Sequence, residues 1–316
     1  ALGMPLELEP EENDFLRESV RPTLQENCDQ IEKDLLDAVK LLNDKPTNTQ
    51  YRASKPAAYG LLARLYLYMG NYSEALKYSE LCLSHNSNLL NLNDYKVVDD
   101  GSFSYRIDVP YNGVDNKESV YLKYSQFEQG PSLYGVLYPS DELIELYDQE
   151  NDKRWQLYYT YNYENIKTDR PVWAPFLYLN IGVNTPEQYL IAAECATRTG
   201  DTAKALKYIN ELRKYRLITF SAFESADSEA ILREVLNERR REFAFYGLFR
   251  LYDLKRLNKD PRFAKSVVHK LDVTDEKGNF VKQEVYTLEP NSYKYSLPIA
   301  KRVLDFNPNM KARDMD

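Results

Sequence analysis

Apolar residues recur at alternating steps of four and three positions over residues 24–42, which is the spacing of one face of an α-helix. They are Leu24, Cys28, Ile31, Leu35, Ala38 and Leu42. A polar stretch at residues 44–50 ends this predicted helix. Ser54 then stands at an N-cap position with Pro56 in the first turn, which predicts a second helix through Met69.

Two later stretches share the pattern of small and large residues that lets two antiparallel helices pack closely, as in a tetratricopeptide (TPR) unit. The first surrounds a turn at Gly70-Asn71, and the second surrounds a turn at Gly200-Asp201. The two turns are more than a hundred residues apart, whereas tandem TPR units repeat about every 34 residues. The helical pairs are therefore predicted to be interrupted in sequence.

A further helical pattern begins at Asp227 or Ser228 and predicts one long helix to about Leu257. Arg239 and Arg250 fall on its apolar stripe. Because an uncompensated buried charge costs several kcal/mol, we expect carboxylates to pair with them, and the candidates are Glu242, Asp253 and Glu194.

Residues 86–185 show no long helical period. Within them, residues 121–178 hold both tryptophans and ten of the 27 tyrosines. A structureless loop of such length is uncommon in a compact domain, so we expect short elements or a functional insertion. The C-terminal residues contain short segments with an alternating pattern that is typical of strands, and a hairpin turn is predicted between them at residues 277–279. The predicted fold class is mainly α: a TPR-like helical-pair scaffold with a long irregular insertion.

Charge and composition exclude several classes of function. The chain has 316 residues and a net charge of −8, which argues against nucleic acid as a partner. No apolar run approaches the roughly 18 residues needed to cross a bilayer. The glycines form neither a dinucleotide-binding nor a phosphate-binding loop, and the two histidines are isolated. Cys28, Cys82 and Cys195 are predicted to be core residues. We expect no catalytic residue, metal or cofactor.

Four blocks of sequence resemble the SusD/RagB family of outer-membrane nutrient-binding lipoproteins. The match extends from about residue 20 to the C-terminus. The blocks are NCDQIEKDL at residues 27–35, RASKPAAYGLLARLYLYMG at 52–70, EQYLIAAE at 187–194 and NERRREFAFYGLFRLYDLKR at 237–256. The chain departs from the family at Pro298-Ile299-Ala300, where a second proline is usual.

The resemblance implies a SusD-like α-α superhelix of four TPR-like pairs. It also implies a protein on the extracellular face of the outer membrane that binds oligosaccharides or polysaccharide without cleaving them. Its partner would be a TonB-dependent outer-membrane transporter. Family members normally carry an N-terminal portion of more than a hundred residues with a lipidated cysteine, so we expect the lipid anchor and signal peptide to be absent from this chain.

The resemblance predicts one SusD-like domain over residues 1–316. Its predicted parts are helical pairs at 20–85, an aromatic-rich insertion at 86–185, a TPR-like pair with a long helix at 186–258, and an irregular segment at 259–316.

The insertion is where the resemblance implies sugar contacts. A pyranose ring stacks its apolar face on an aromatic ring, while polar side chains satisfy its hydroxyl groups. The candidate ligand-binding residues are Trp155, Trp173, Tyr134, Tyr138, Tyr161, Tyr163 and Asn162. For the tryptophans, core packing is an equal alternative. The tyrosine run from Tyr158 to Tyr163 is equally consistent with a half-buried strand.

Two other functions are weighed against glycan binding. One is a TPR-type scaffold that binds a protein or peptide. The other is a helical glycoside hydrolase, for which Asp141, Glu142 and Glu145 would be the carboxylates. Those residues fit the solvated face of a short helix capped by Ser140 better. Asp152-x-Arg154 is interpreted as a structural ion pair.

Overall fold

The structure is a computed structural model that describes residues 2–6, 8, 20–47, 49–101, 107–108, 116–123, 137–174, 179–308 and 310. The chain forms two compact units, one of residues 1–33 and 251–316 and the other of residues 34–250. The assignment of all 316 residues to one domain stays a prediction.

Helices dominate the described residues, so the predicted mainly α class is confirmed. The helices are α1 (Leu24–Leu41), α2 (Lys55–Met69), α3 (Tyr72–His85), α4 (Asp141–Ile144), α5 (Lys153–Tyr158), α6 (Thr185–Arg198), α7 (Thr202–Lys214), α8 (Ser228–Glu242), α9 (Phe249–Leu257) and α10 (Lys301–Phe306). The strands are β1 (Ser119–Tyr121), β2 (Tyr159–Tyr163), β3 (Ile166–Trp173), β4 (Val183–Asn184), β5 (Val267–Thr274) and β6 (Phe280–Leu288). Within this described part, none of the helices combines the length and apolarity needed to span a bilayer.

Both predicted helical pairs are present. In α2–α3 the chain reverses at Gly70, whose φ of 80° is the left-handed conformation that favours glycine after a helix. Asn71 then caps α3 by accepting a hydrogen bond from the Glu74 amide. In α6–α7, Gly200 has a φ of 91° and Asp201 caps α7 in the same way. The turn chemistry thus fixes both pairs locally.

The two pairs pack on each other through small and apolar side chains. Leu62 and Ala63 of α2 and Ala75 of α3 share a fully buried cluster with Ile191 and Cys195 of α6. The predicted core role is confirmed for Cys195, and it is confirmed for Cys82, which is also fully buried. Cys28, in contrast, is only half-buried on α1.

The predicted long helix is wrong, because it is divided into α8 and α9. Between them Phe245 and Gly247 have φ angles of 61° and 50°, in the left-handed region that a right-handed helix excludes. The Phe245 ring packs 4.9 Å from that of Trp173, whereas Phe243 stacks at 5.2 Å on Phe249. Packing of these rings into separate clusters outweighs the helical periodicity of the sequence.

Short elements make up the described part of the insertion. β1 pairs antiparallel with β4, and β2 pairs antiparallel with β3. α5 runs directly into β2 at Tyr158 and Tyr159. The placement of the hairpin therefore depends on what holds α5.

A buried ion network holds α5. Arg154 of α5 and Arg216, just after α7, bind the same carboxylate, that of Glu242 at the end of α8, at 2.8 and 2.7 Å. Arg154 also lies 2.7 Å from both Asp152 and Glu238. All five side chains are almost completely buried. The predicted structural role of the Asp152–Arg154 pair is confirmed.

The charges in this network depend on each other. Burial by itself would raise the pKa of Glu242, but the guanidinium groups of Arg216 and Arg154 lower it below its ordinary value. For Glu118, which Arg216 also binds at 2.8 Å, burial outweighs the attraction and the pKa is raised. The network thus stabilises the ionised form of Glu242.

Arg239 lies beside a carboxylate that the sequence did not single out. Its guanidinium lies 3.8 Å from Glu187 of α6 and 5.3 Å above the ring centroid of Phe243, where a cation is attracted to the ring face. The predicted carboxylates form other pairs: Glu242 with Arg154 and Arg216, Glu194 with Arg198, and Asp253 with Arg256. Helical spacing could not reveal Glu187, because this residue lies on a different helix.

The unit of residues 1–33 and 251–316 contains the predicted C-terminal hairpin. β5 and β6 pair antiparallel, with Val267 opposite Leu288. At the turn, the Asp275 carboxylate accepts hydrogen bonds from the amides of Lys277 and Asn279. The predicted turn is confirmed.

Replacing Glu242 with Gln should lower the free energy of unfolding by about 3 kcal/mol or more, because two buried guanidinium groups lose their shared charge partner. Glu229→Gln on the same helix is the control. Glu229 is about 42% exposed and pairs with Arg233, a contact worth at most about 1 kcal/mol. Denaturant unfolding followed by circular dichroism measures both. Equal losses in the two variants would contradict a structural role for the network.

Candidate functional site

The hairpin of β2 and β3 is the most regular part of the described insertion. Its turn is formed by Glu164 and Asn165, which have φ angles of 50° and 64°. A two-residue turn with positive φ at both residues matches the twist of the two strands that it joins. The Asn165 amide donates to the carbonyl of Gly101 at 3.1 Å, so a second turn supports the first.

An irregularity in the pairing of β2 with β3 changes which tyrosines face outward. The register shifts between Thr160, which lies opposite Val172, and Asn162, which lies opposite Lys167. Tyr161 falls in this irregularity and is 46% exposed. Regular alternation would have placed Tyr159, Tyr161 and Tyr163 on one side, but the first and last of these are buried. The half-buried strand that the sequence left open is present.

Both tryptophans lie in the core under the hairpin. Trp155 stacks on Tyr159 with ring centroids 4.8 Å apart, and Trp173 is only 2% exposed against Phe245. Each ring contributes to one buried cluster with Leu157. Core packing, the alternative that the sequence left open, is what these contacts support. A sugar contact by either tryptophan stays a prediction.

Tyr138 lies on a segment that runs beside β3. The Trp173 amide donates to the carbonyl of Leu137 at 2.9 Å, and Arg170 Nη2 contacts the carbonyl of Pro139 at 3.3 Å. The Tyr138 ring between these anchors is 46% exposed. Tyr134, the remaining predicted tyrosine, lies outside the described residues.

Amide side chains surround the hairpin turn. Thr160 Oγ1 donates to the Asp100 carboxylate at 2.8 Å and accepts a hydrogen bond from the backbone amide of Asn162 at 2.9 Å. Asn165 and Lys167 are exposed, and Asn162 is half-buried. Sequence reasoning missed Asp100 and Gly101 as supports of this region, although their Asp-Asp-Gly sequence marks a turn.

We use the name hairpin surface for five half-buried or exposed side chains that the hairpin and the segment beside it carry: Tyr138, Tyr161, Asn162, Asn165 and Lys167. It combines half-exposed aromatic rings with amide and ammonium groups that can donate hydrogen bonds. Such a combination suits a ligand with an apolar face and a polar rim. Buried Tyr163 supports the strand from within.

The carboxylates considered for hydrolysis are held in ion pairs. Asp141 lies 2.6 Å from Arg170, and Glu142 lies 3.2 Å from Arg240. Both carboxylates are exposed, and Ser140 caps their short helix as the sequence predicted. Nowhere in the described ranges do His, Cys, Asp and Glu side chains cluster as they would around a metal ion.

Two family models match the sequence. One, described as the SusD family, matches residues 186–313. The other, described as "Starch-binding associating with outer membrane", matches residues 2–67. Together they span more than half of the chain. No curated protein matches it.

Solved structures with similar folds come from Bacteroides species. A protein from Bacteroides vulgatus ATCC 8482 is 24% identical, with 99% of this chain and 70% of that chain covered at a TM-score of 0.72. A SusD superfamily protein from Bacteroides thetaiotaomicron VPI-5482 is 20% identical, with 99% and 71% covered at 0.71. A SusD-like carbohydrate binding protein from B. vulgatus is 19% identical, with 98% and 70% covered at 0.70. These likenesses support the helical fold.

Adding a methyl group at Gly101 should move the amides of the hairpin surface without unfolding the protein. A Cβ there would lie 2.3 Å from Asn165 Oδ1 and 3.2 Å from Asn162 Nδ2, and both are ends of side chains that can turn away. In Gly101→Ala we expect shifted NMR resonances for both side-chain amides, with stability changed by about 0.5 kcal/mol or less. Gly70→Ala is the control for the resonances only, because no atom lies within 4 Å of its new methyl group, while its φ of 80° makes that variant less stable. Unchanged Asn162 and Asn165 resonances in Gly101→Ala would contradict the contact.

Proposed function

Because the chain belongs to the SusD/RagB family, we propose that it is a carbohydrate-binding protein whose ligand lies on the hairpin surface. The family description names starch and the outer membrane, so a starch-type glucan is the ligand class we propose first. The observation that carries the proposal is the pair of half-exposed tyrosines beside exposed amides in the insertion.

The chemistry of a glucan fits this surface. Stacking on Tyr138 or Tyr161 would cover the C–H face of a pyranose, and the ring hydroxyl groups would remain within reach of Asn162 and Asn165. Each such contact buries only one face of one sugar ring. Several such contacts are needed for useful affinity, so the ligand should span more than one side chain.

We further propose that the protein binds without cleaving, at the extracellular face of the outer membrane, and passes its ligand to a TonB-dependent transporter. A lipid anchor on a preceding N-terminal segment would hold it there. Asp141 and Glu142 are exposed on a short helix and each is paired with an arginine, which favours an ordinary surface role for them over acid–base catalysis. The transporter and the anchor rest on the family alone.

The TPR-scaffold alternative has less support. The helical pairs bury their facing sides on each other, and Leu62 and Ile191 are completely enclosed. The two pairs are separated in the sequence by the insertion and do not repeat in tandem. The alternative would be supported if the protein pulled down a protein partner and bound no glycan.

Calorimetry with maltoheptaose tests the proposal. Tyr161→Ala should weaken binding about tenfold, the equivalent of about 1.4 kcal/mol, because a stacking ring is lost. Tyr51→Ala is the matched control: Tyr51 is 39% exposed, lies on the loop before α2 and is not part of the hairpin surface. We expect its affinity to equal that of the wild type.

Two results would overturn the proposal. One is wild-type protein that binds neither maltoheptaose nor any other glycan on an array. The other is release of reducing ends during incubation, which would identify a hydrolase.

A further inference from the structure

The buried ion network, extended to Glu118 and Arg241, contains more carboxylates than guanidinium groups. Among the described residues its buried members are four carboxylates and three guanidinium groups, those of Asp152, Glu118, Glu238 and Glu242 and of Arg154, Arg216 and Arg241. Arg241 also contacts the less buried Glu234, but that residue is paired with Arg213, so the charges of these two cancel. One interior negative charge is therefore without a counterion if all four carboxylates are ionised.

Three of the four carboxylates are well compensated. Glu242 and Glu238 each bind two guanidinium groups. Asp152 binds two nitrogens of Arg154, one through each of its oxygens. A buried carboxyl group that lacks such compensation takes up a proton instead, because the charged form is disfavoured in the interior.

Glu118 is the least compensated of the four. Its cationic partner in the described part of the chain is Arg216, whose Nη2 lies 2.8 Å from Glu118 and also 2.7 Å from Glu242. The other titratable groups that face it are the phenols of Tyr95 and Tyr158, which carry no positive charge. Burial raises the pKa of Glu118 above its ordinary value, Arg216 offsets only part of this effect, and the charge of Glu242 adds to it.

The Glu118 carboxyl group holds the segment that leads from α3 into the insertion. Its Oε1 accepts hydrogen bonds from the Leu90 amide and from Arg216, both at 2.8 Å. Arg216 Nη1 in turn donates to the Leu90 carbonyl at 2.8 Å. Because both bonds to Glu118 go to Oε1, Oε2 can carry a proton while they stay in place. A neutral Glu118 is thus compatible with the observed packing of residues 86–92.

We propose that Glu118 is a proton-binding site that makes the packing of residues 86–92 sensitive to pH: the neutral carboxyl group holds this segment, and loss of the proton at higher pH loosens it. The proposal does not depend on carbohydrate binding. When the segment opens, water reaches Glu118 and its pKa returns to the ordinary value of 4.5.

The sign of the pH dependence follows from this difference between the closed and the open form. The closed form binds the proton more tightly, so the stabilisation is complete below pH 4.5. It is lost as the pH rises through the higher pKa that Glu118 has in the closed form. Opening should therefore become more frequent towards alkaline pH, whereas the carboxylates with lowered pKa, such as Glu242, destabilise the protein only at acid pH.

A carbon-13 NMR titration of the glutamate carboxyl groups tests the proton site directly. The Glu118 resonance is identified by its absence in Glu118→Gln, and in the wild type it should titrate with a midpoint above 4.5. In Glu242→Gln the midpoint should fall, because the excess negative charge is removed and Arg216 then has Glu118 as its carboxylate partner.

Hydrogen exchange of residues 86–92 between about pH 5 and about pH 8 tests the loosening. After correction for intrinsic exchange, the opening constant of the wild type should rise with pH, by up to about tenfold per pH unit. Glu118→Gln has the shape of the neutral carboxyl group and cannot ionise, so it should lose this rise and open less often than the wild type at about pH 8. Glu194→Gln is the matched control: Glu194 is also buried but pairs with Arg198, outside the network, and this variant should keep the rise.

Three results would overturn the proposal. One is a Glu118 midpoint at or below 4.5 in the wild type, which decides the question even if a variant does not fold. Another is an opening constant that rises equally in the wild type and in Glu118→Gln. The third is an unchanged midpoint in Glu242→Gln, since the charge excess would then not be the cause.

Discussion

The shared carboxylate of Glu242 is the contact on which the placement of the hairpin depends. It joins Arg154 of α5 to Arg216 after α7, and thereby ties the insertion to both α8 and the second helical pair. A buried carboxylate between two guanidinium groups tolerates little displacement, since a lost partner leaves a charge without compensation. α5 continues directly into β2, so the network also fixes the strand that carries Tyr161.

The aromatic residues of the hairpin and of the segments next to it fall into two groups, buried and half-exposed. Trp155, Tyr159 and Trp173 fill the core on its inner side, where they bury large apolar areas. Tyr138 and Tyr161 are left half exposed, one by a segment that runs beside β3 and the other by the irregularity in the pairing of β2 with β3. A rigid support with exposed rings is what a preorganised binding surface requires, because little ordering entropy is then lost on binding. The tryptophans would in this way support the surface without touching the ligand.

Local sequence signals predicted the helical pairs well. Gly70, Gly200 and the Asn71 and Asp201 caps are short-range features whose chemistry does not depend on the rest of the chain. The break between α8 and α9 could not be predicted in this way, because it arises from rings that pack into separate clusters far along the chain.

The site was predicted less well than the fold for the same reason. Aromatic enrichment pointed to the segment that carries the hairpin surface, but burial separates Trp173 from Tyr161, and burial depends on a register irregularity between β2 and β3 that the sequence pattern does not reveal. Among the predicted site residues, Tyr138, Tyr161 and Asn162 reach the hairpin surface. Apart from Asp152, the ion partners of Arg154 and Arg216 come from elements distant in sequence, so helical spacing could not identify them.

The central claim is that the hairpin surface holds carbohydrate, and hydrogen exchange of the wild-type protein with and without saturating maltoheptaose tests it most directly. Ligand contact should slow exchange at residues 137–141 and 159–170, while β5 and β6 stay unchanged. Slowed exchange confined to other segments, with both of these unaffected, would contradict the claim and place the glycan elsewhere.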